Sequence, residues 1–296
     1  MDPLLAAPIL SILSAMLFTG GNLFLGYGLR TSTPVIATLM LAFVTLLIFG
    51  PVTVLVVRQE GISQVAVLTF VVGGVASPGL SRTLLSMSIE RIGLSRSVII
   101  ANAAPLVAII FGVALLGERP TFLVYLGTIS IIVGVSFLAQ EQETPGAIKP
   151  DARSAWPNYT LAFLAMVTLG LAASFRKVGI SMFPSPSAGL TFGTVGSLLV
   201  LAPWYPFMPE KDRVKKGRGG LGFFLGSSVF TCSAQLCFFA ALQRGSLSVV
   251  MPLISTIPLF TLLVSWIFLR KVERLNFRIV LGGLLVSCGA ALVAIA

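Results

Sequence analysis

Apolar runs of about 20 residues, parted by short charged or Pro/Gly-rich connections, recur from one end of this chain to the other. No other feature limits the fold as strongly. A hydrocarbon core about 30 Å thick takes about 20 helical residues to cross. Backbone in lipid has no water to bond, which leaves a helix bundle or a closed barrel, and continuous rather than alternating apolar runs select the helix. The runs predict ten helices, near Ile9–Leu29, Pro34–Val57, Val65–Met87, Ser97–Leu116 and Phe122–Ala139, then Tyr159–Ile180, Ala188–Tyr205, Gly220–Leu242, Leu247–Leu269 and Phe277–Ala296. Composition agrees: 56% of the 296 residues are hydrophobic and 10% charged, against about 25% charged in a soluble domain. An all-α, multi-pass integral membrane protein is expected, in the plasma (inner) membrane. The opening "MDPLLAAP" has no basic n-region and the first run has full spanning length, so no cleaved signal peptide is expected.

A net charge of +10 would suggest nucleic acid as partner in a soluble chain. Here the basic residues sit mostly in connections, so no nucleic acid is expected and membrane topology explains the charge. Connections after odd-numbered helices hold Arg30, Arg91, Arg96, Lys149, Arg153, the "EKDRVKKGR" cluster and the Arg270–Arg278 group; those after even-numbered helices hold Arg58, Arg119, Arg176, Lys177 and Arg244. The positive-inside rule then predicts both termini outside. The "EKDRVKKGR" cluster fits a topology signal or an anionic-lipid contact. Cys232, Cys237 and Cys288 fall inside spans and there is no histidine, so neither a disulfide framework nor a metal site is expected, nor any cofactor. The three cysteines read as small packing residues.

The two halves of the chain resemble each other. Laying "GERPTFLVYLGTISIIVGV" from Gly117 over "VERLNFRIVLGGLLVSCGA" from Val272 puts Glu118 on Glu273, Arg119 on Arg274, Phe122 on Phe277, Leu126 on Leu281, Gly127 on Gly282 and Gly134 on Gly289. Upstream, across a two-residue insertion near Arg270 and Lys271, Arg91, Leu94, Ser95, Pro105 and Leu106 meet Arg244, Leu247, Ser248, Pro258 and Leu259. The halves read as residues 1–140 and 157–296, joined by a polar linker over 141–156. Five spans per half is odd, so the second half enters the membrane upside down. Inverted five-helix repeats are typical of secondary transporters, with the solute site near the midplane between them. The ten spans, the duplication and "LLGERPT" followed by spaced glycines resemble the EamA family of the drug/metabolite transporter superfamily. The second half carries "VERLN" in place of the Gly-Glu form. The resemblance implies a transporter of amino acids, other metabolites, nucleotide sugars or drugs. It also implies both termini inside, against the charge count.

All ten acidic residues lie at helix ends, termini or connections. The small multidrug resistance branch of that superfamily uses a glutamate within its first helix to exchange protons for cations; "ILSILSAMLFTGGNLFLGYGL" has none. Arg82 is the reverse case. Nine residues separate it from Arg91 at the helix end, which places it roughly 13 Å deep, where a guanidinium costs about 2.5–3.5 kcal/mol. The repeat pairs Arg82 with Gln235 and Asn102 with Ser255. Arg82 is therefore a candidate anion hook, with Gln235, Asn102, Ser255 and, in the first helix, Asn22 as neutral hydrogen-bonding groups for the rest of a polar solute. Each has a plainer alternative. Arg82 could bond carbonyls loosened by Pro78 or reach an interface; the others could join helices to one another. Arg176 and Lys177 read as an interfacial anchor. Pro105 and Pro258 are matched kinks or pivots. "GLTFG" and "GFFLG" suit close helix contacts.

The expected function is alternating-access transport of a small polar metabolite bearing a carboxylate or phosphate, by a monomer or homodimer in contact with membrane lipid, without covalent chemistry. The alternatives are export of hydrophobic or cationic drugs and, in another class, a membrane scaffold or lipid-handling protein.

Overall fold

The computed structural model describes residues 3–30, 32–141, 155–204, 220–268 and 277–296. Most of the polar linker, the "EKDRVKKGR" cluster and Glu273 with its neighbours lie outside these residues. Among the described residues ten apolar helical stretches are long enough to cross a membrane, each overlapping one expected from the sequence. The protein is a ten-span integral membrane protein built from two inverted five-helix repeats.

Seven spans are single helices: α1 (Pro3–Leu29), α2 (Pro34–Glu60), α7 (Phe122–Glu141), α8 (Ala155–Met182), α9 (Pro186–Trp204), α10 (Leu221–Arg244) and α13 (Phe277–Ile295). The other three are interrupted. The third joins α3 (Gln64–Gly74) to α4 (Ser81–Ile92) across a kink, Val75–Leu80. The fourth is α5 (Leu94–Ala101) followed by α6 (Ala104–Leu116), and the ninth α11 (Leu247–Ile254) followed by α12 (Ile257–Phe268).

The inverted repeat is visible in the packing. α7 crosses α13 through glycines: a Cβ on Gly127 would lie 2.7 Å from the Gly289 carbonyl, and one on Gly134 2.7 Å from that of Gly282. Gly127 aligns with Gly282 and Gly134 with Gly289, so each glycine meets the partner of the other, as a two-fold relation between halves requires. The same relation sets α1 against α10 and α8 against α3 and α4. The breaks also correspond. Asn102 (φ −68°, ψ −9°) and Ser255 (φ −67°, ψ 0°) cap α5 and α11 in the same conformation, each three residues before a proline that lacks the N–H to continue the ladder.

Many hydroxyl groups inside the bundle are satisfied at short range. Ser11, Thr128 and Ser228 donate to the carbonyl four residues back at 2.7–2.8 Å, the usual solution where water is absent. Ser14 reaches Ala234 O, Ser227 reaches Gly21 O and Ser130 reaches Leu285 O, all at 2.8 Å, tying α1 to α10 and α7 to α13. Phe70, Ile180, Leu190, Phe239, Leu242 and Leu247 form the largest buried apolar cluster, where α3, α8, α9, α10 and α11 converge.

Candidate solute site

Pro78 locates the site. It has no backbone N–H, and its ring disfavours the helical region for the residue before it. Ser77 is accordingly extended (φ −152°, ψ 130°), and the N–H of Ser81 reaches back five residues to Ala76 O. One turn earlier α3 lies against α9 backbone to backbone: a Cβ on Gly74 would overlap the Gly193 carbonyl, and one on Gly196 that of Val71. This contact brings the polar side of α9 up to the break. The Ser77 carbonyl, turned out of the helical register, accepts a hydrogen bond from the Arg176 guanidinium on α8.

Beside this bond a narrow cleft opens between α2, the break, α8, α9 and α10. Pro78, Arg176, Thr194, Ser197, Gln235 and Phe239 line it, with the first third of α2 at its side. It holds about 20 Å³ of space for a water-sized occupant, room for a water and too little for a metabolite. Anything larger than a water fits only if the helices part. Arg176 also lies over the Phe238 ring, its Cζ 6.0 Å from the centroid, a geometry that favours a cation.

The donor count at Arg176 matters most. A guanidinium has five N–H donors and cannot shed its proton. Among the described residues the Ser77 carbonyl is its single hydrogen-bond acceptor, and no carboxylate bonds to it. The Gln235 amide and the Thr194 hydroxyl facing the same cleft have no side-chain hydrogen-bond partner among the described residues. A positive charge with spare donors and two neutral hydrogen-bonding groups, from α8, α10 and α9, thus face one cleft.

Of the residues singled out from the sequence, Gln235 lines this cleft; Arg82, Asn102, Ser255 and Asn22 are not among its lining residues. Arg82 is exposed on α4, one turn from the exposed Ser86, without a hydrogen-bond partner among the described residues. Asn102 caps α5, and its buried Nδ2 has no partner among the described residues. Ser255, at the matching break, bonds to Met251 O at 3.1 Å. Asn22 is exposed on α1 beside Gly21, where a Cβ would lie 2.7 Å from Thr231 Oγ1.

Arg176 and Lys177 depart from the anchor reading. α8 continues to Met182, so Arg176 lies six residues, about 9 Å, inside its end. Lys177 Nζ bonds within the protein, to Leu242 O at 2.5 Å and Gly245 O at 2.8 Å. Both cations take carbonyls that helix geometry leaves free. The apolar run "VGISMF" after them was the available sequence signal.

A model of the EamA-like transporter family matches residues 6–140 and 156–295, once in each half. The chain belongs to the EamA-like transporter family. None of the curated proteins matches it. A crystal structure described only as that of a protein is similar in fold, with a TM-score of 0.72 at 16% identity over 97% of this chain and 95% of that one. The EamA-like match fits the paired glycines and paired breaks, which recur once per half. It makes this a membrane transporter of the drug/metabolite type and leaves the solute to the chemistry of the cleft.

Proposed function

We propose that this EamA-like transporter carries a small polar solute bearing a carboxylate or phosphate, taken up in the cleft at Arg176. The carrying observation is the Arg176 guanidinium itself, deep in the bundle with one backbone acceptor and no bonded carboxylate among the described residues. A charge within a span is costly, about 2.5–3.5 kcal/mol at a helix centre, and a hydrogen bond to one carbonyl returns about 1.5–3 kcal/mol. An anionic solute supplies the missing acceptors and the opposite charge. Arg176 engages its two oxygens in parallel, while Gln235 and Thr194 bond the remainder.

Movement follows from the repeats. Two inverted halves rocking about a midplane site expose it to each side in turn, and the breaks at Asn102 and Ser255 give the fourth and ninth spans matched points to bend.

The test is exchange in proteoliposomes with matched panels of anionic, zwitterionic and cationic metabolites and a cationic dye. Saturable exchange of a carboxylate or phosphate solute, not competed by the dye, is expected. Movement of cations alone would replace this reading with drug export, and no exchange of any solute would favour the scaffold alternative.

A further inference from the structure

We propose that Glu118 and Lys177 form a clasp that shuts the membrane face carrying the chain termini, and that transport requires this clasp to open. The face is fixed by counting spans: the ends of the fourth, sixth and eighth spans, and the start of the ninth, lie on the termini's side.

The local sequence explains the geometry. α6 ends at Gly117 in the left-handed conformation (φ +65°), open to glycine at no steric cost. The next N–H, that of Glu118, folds back to Gly112 O at 3.0 Å. This turn aims the Glu118 side chain out of the first half and onto the second. Its Oε1 accepts from Leu247 N at 2.6 Å; its Oε2 accepts from Ser248 N at 3.0 Å and from Ser248 Oγ. Those N–H groups begin α11 and have no partner within the helix. Gly112 makes room, since a Cβ there would lie 2.8 Å from Glu118 Oε2.

Lys177 holds the other side of the same connection. Its bonds to Leu242 O and Gly245 O occupy carbonyls at the end of α10. An anion at the start of one helix and a cation at the end of another are both favoured by the helix dipoles. Together they pin the turn between α10 and α11, and Leu242, Leu247 and Ser248 beneath it are buried.

Three features separate a gate from an ordinary helix cap. Glu118 belongs to the first half and α11 to the second, so the contact spans the seam along which the halves must part. α11 is eight residues long, clasped at its start and broken at its end by Ser255, the form of an element that swings once released. Lys177 follows Arg176 directly, so one turn of α8 carries both the solute group and the clasp. Solute binding can therefore reach the gate without an intermediate element.

The experiment reads access to the cleft and needs no solute, so its outcome is independent of the anion reading. Cys232, Cys237 and Cys288 are replaced by serine, and Ser197, which lines the cleft, by cysteine. Sealed vesicles are treated with a membrane-impermeant thiol reagent from each face, a C-terminal tag identifying the termini's side. Glu118→Gln, Gly112→Ala and Lys177→Met are compared with the parent. Gly112→Ala displaces the carboxylate without removing it, and decides the matter where Glu118→Gln fails to fold. Labelling from the termini's face at least about tenfold faster, with no gain from the opposite face, is expected. Unchanged labelling from the termini's face, or equal gains from both faces, would overturn the proposal and leave a static cap or a loosened fold.

Discussion

The third and eighth spans hold equivalent places in the two halves, yet the third breaks at Ser77–Pro78 and turns a carbonyl outward, while α10 runs its 24 residues without interruption. Their neighbours differ in the same way. α3 meets α9 backbone to backbone through Gly74 and Gly196. The equivalent contact of α10 with α2 is made by side chains, Thr45 Oγ1 lying 3.1 Å from Cys232 Sγ. Elsewhere, at the α7–α13 glycines and at the two midplane breaks, the halves match. Duplication thus supplies the frame, and departure from duplication supplies the candidate site: the carbonyl that holds Arg176 exists only where the third span is unlike the eighth.

The largest expected effect tests the backbone contact. Gly74→Val forces a side chain into the Gly193 carbonyl, and neither backbone can yield without moving a helix. The variant is expected to lose the monodisperse folded species in detergent, a cost of 3 kcal/mol or more on the scale of about 1–3 kcal/mol for ordinary overpacking. A folded, active Gly74→Val would mean α3 and α9 are not in contact.

Next come the matched glycines. Gly127→Ala and Gly282→Ala place a methyl 2.7 Å and 2.9 Å from the carbonyls of Gly289 and Gly134. Each should lower stability by about 1–3 kcal/mol, and by the same amount within about 0.5 kcal/mol, as read by thermal unfolding in detergent. A clear inequality would break the two-fold relation at this interface.

Pro78→Ala addresses the asymmetry itself. With an N–H restored, the third span can close into continuous helix like the eighth, and Arg176 loses its carbonyl partner. Exchange is expected to fall about tenfold while the protein stays folded. Unaltered exchange would show that the break only shapes the bundle.

The smallest effect belongs to the side-chain contact. Cys232→Ser keeps a group able to meet Thr45, so stability should change by less than about 1 kcal/mol and exchange hardly at all. A loss comparable to that of Gly74→Val would erase the distinction between the two contacts.

The ten spans, the duplication and the matched breaks could be read from the sequence because each has a signature that survives without coordinates: length of apolar run, spacing of glycines, place of proline. Gln235 was legible for the same reason, as the repeat partner of a conspicuous arginine. Arg176 was not. Arg82 follows a break at which Ser77 leaves the helical region, and the break rotates everything after it by an amount the sequence does not state. Depth in the membrane could be counted for Arg82, but the direction it faces could not. Arg176 lies on the unbroken α8, close enough to a span end to resemble an anchor until the end of that helix is fixed at Met182.

The central claim is that the solute anion meets Arg176 and not Arg82, and paired exchange kinetics test it most directly. KM and maximal rate for one carboxylate or phosphate solute would be measured in proteoliposomes for the parent, Arg176→Gln and Arg82→Gln, each shown to be folded by its unfolding temperature. The account predicts a rise in KM of at least about tenfold for Arg176→Gln, the loss of a charged hydrogen bond, and a change below about threefold for Arg82→Gln. The reverse order, with Arg176→Gln transporting normally and Arg82→Gln failing, would contradict it and return the anion hook to the third span.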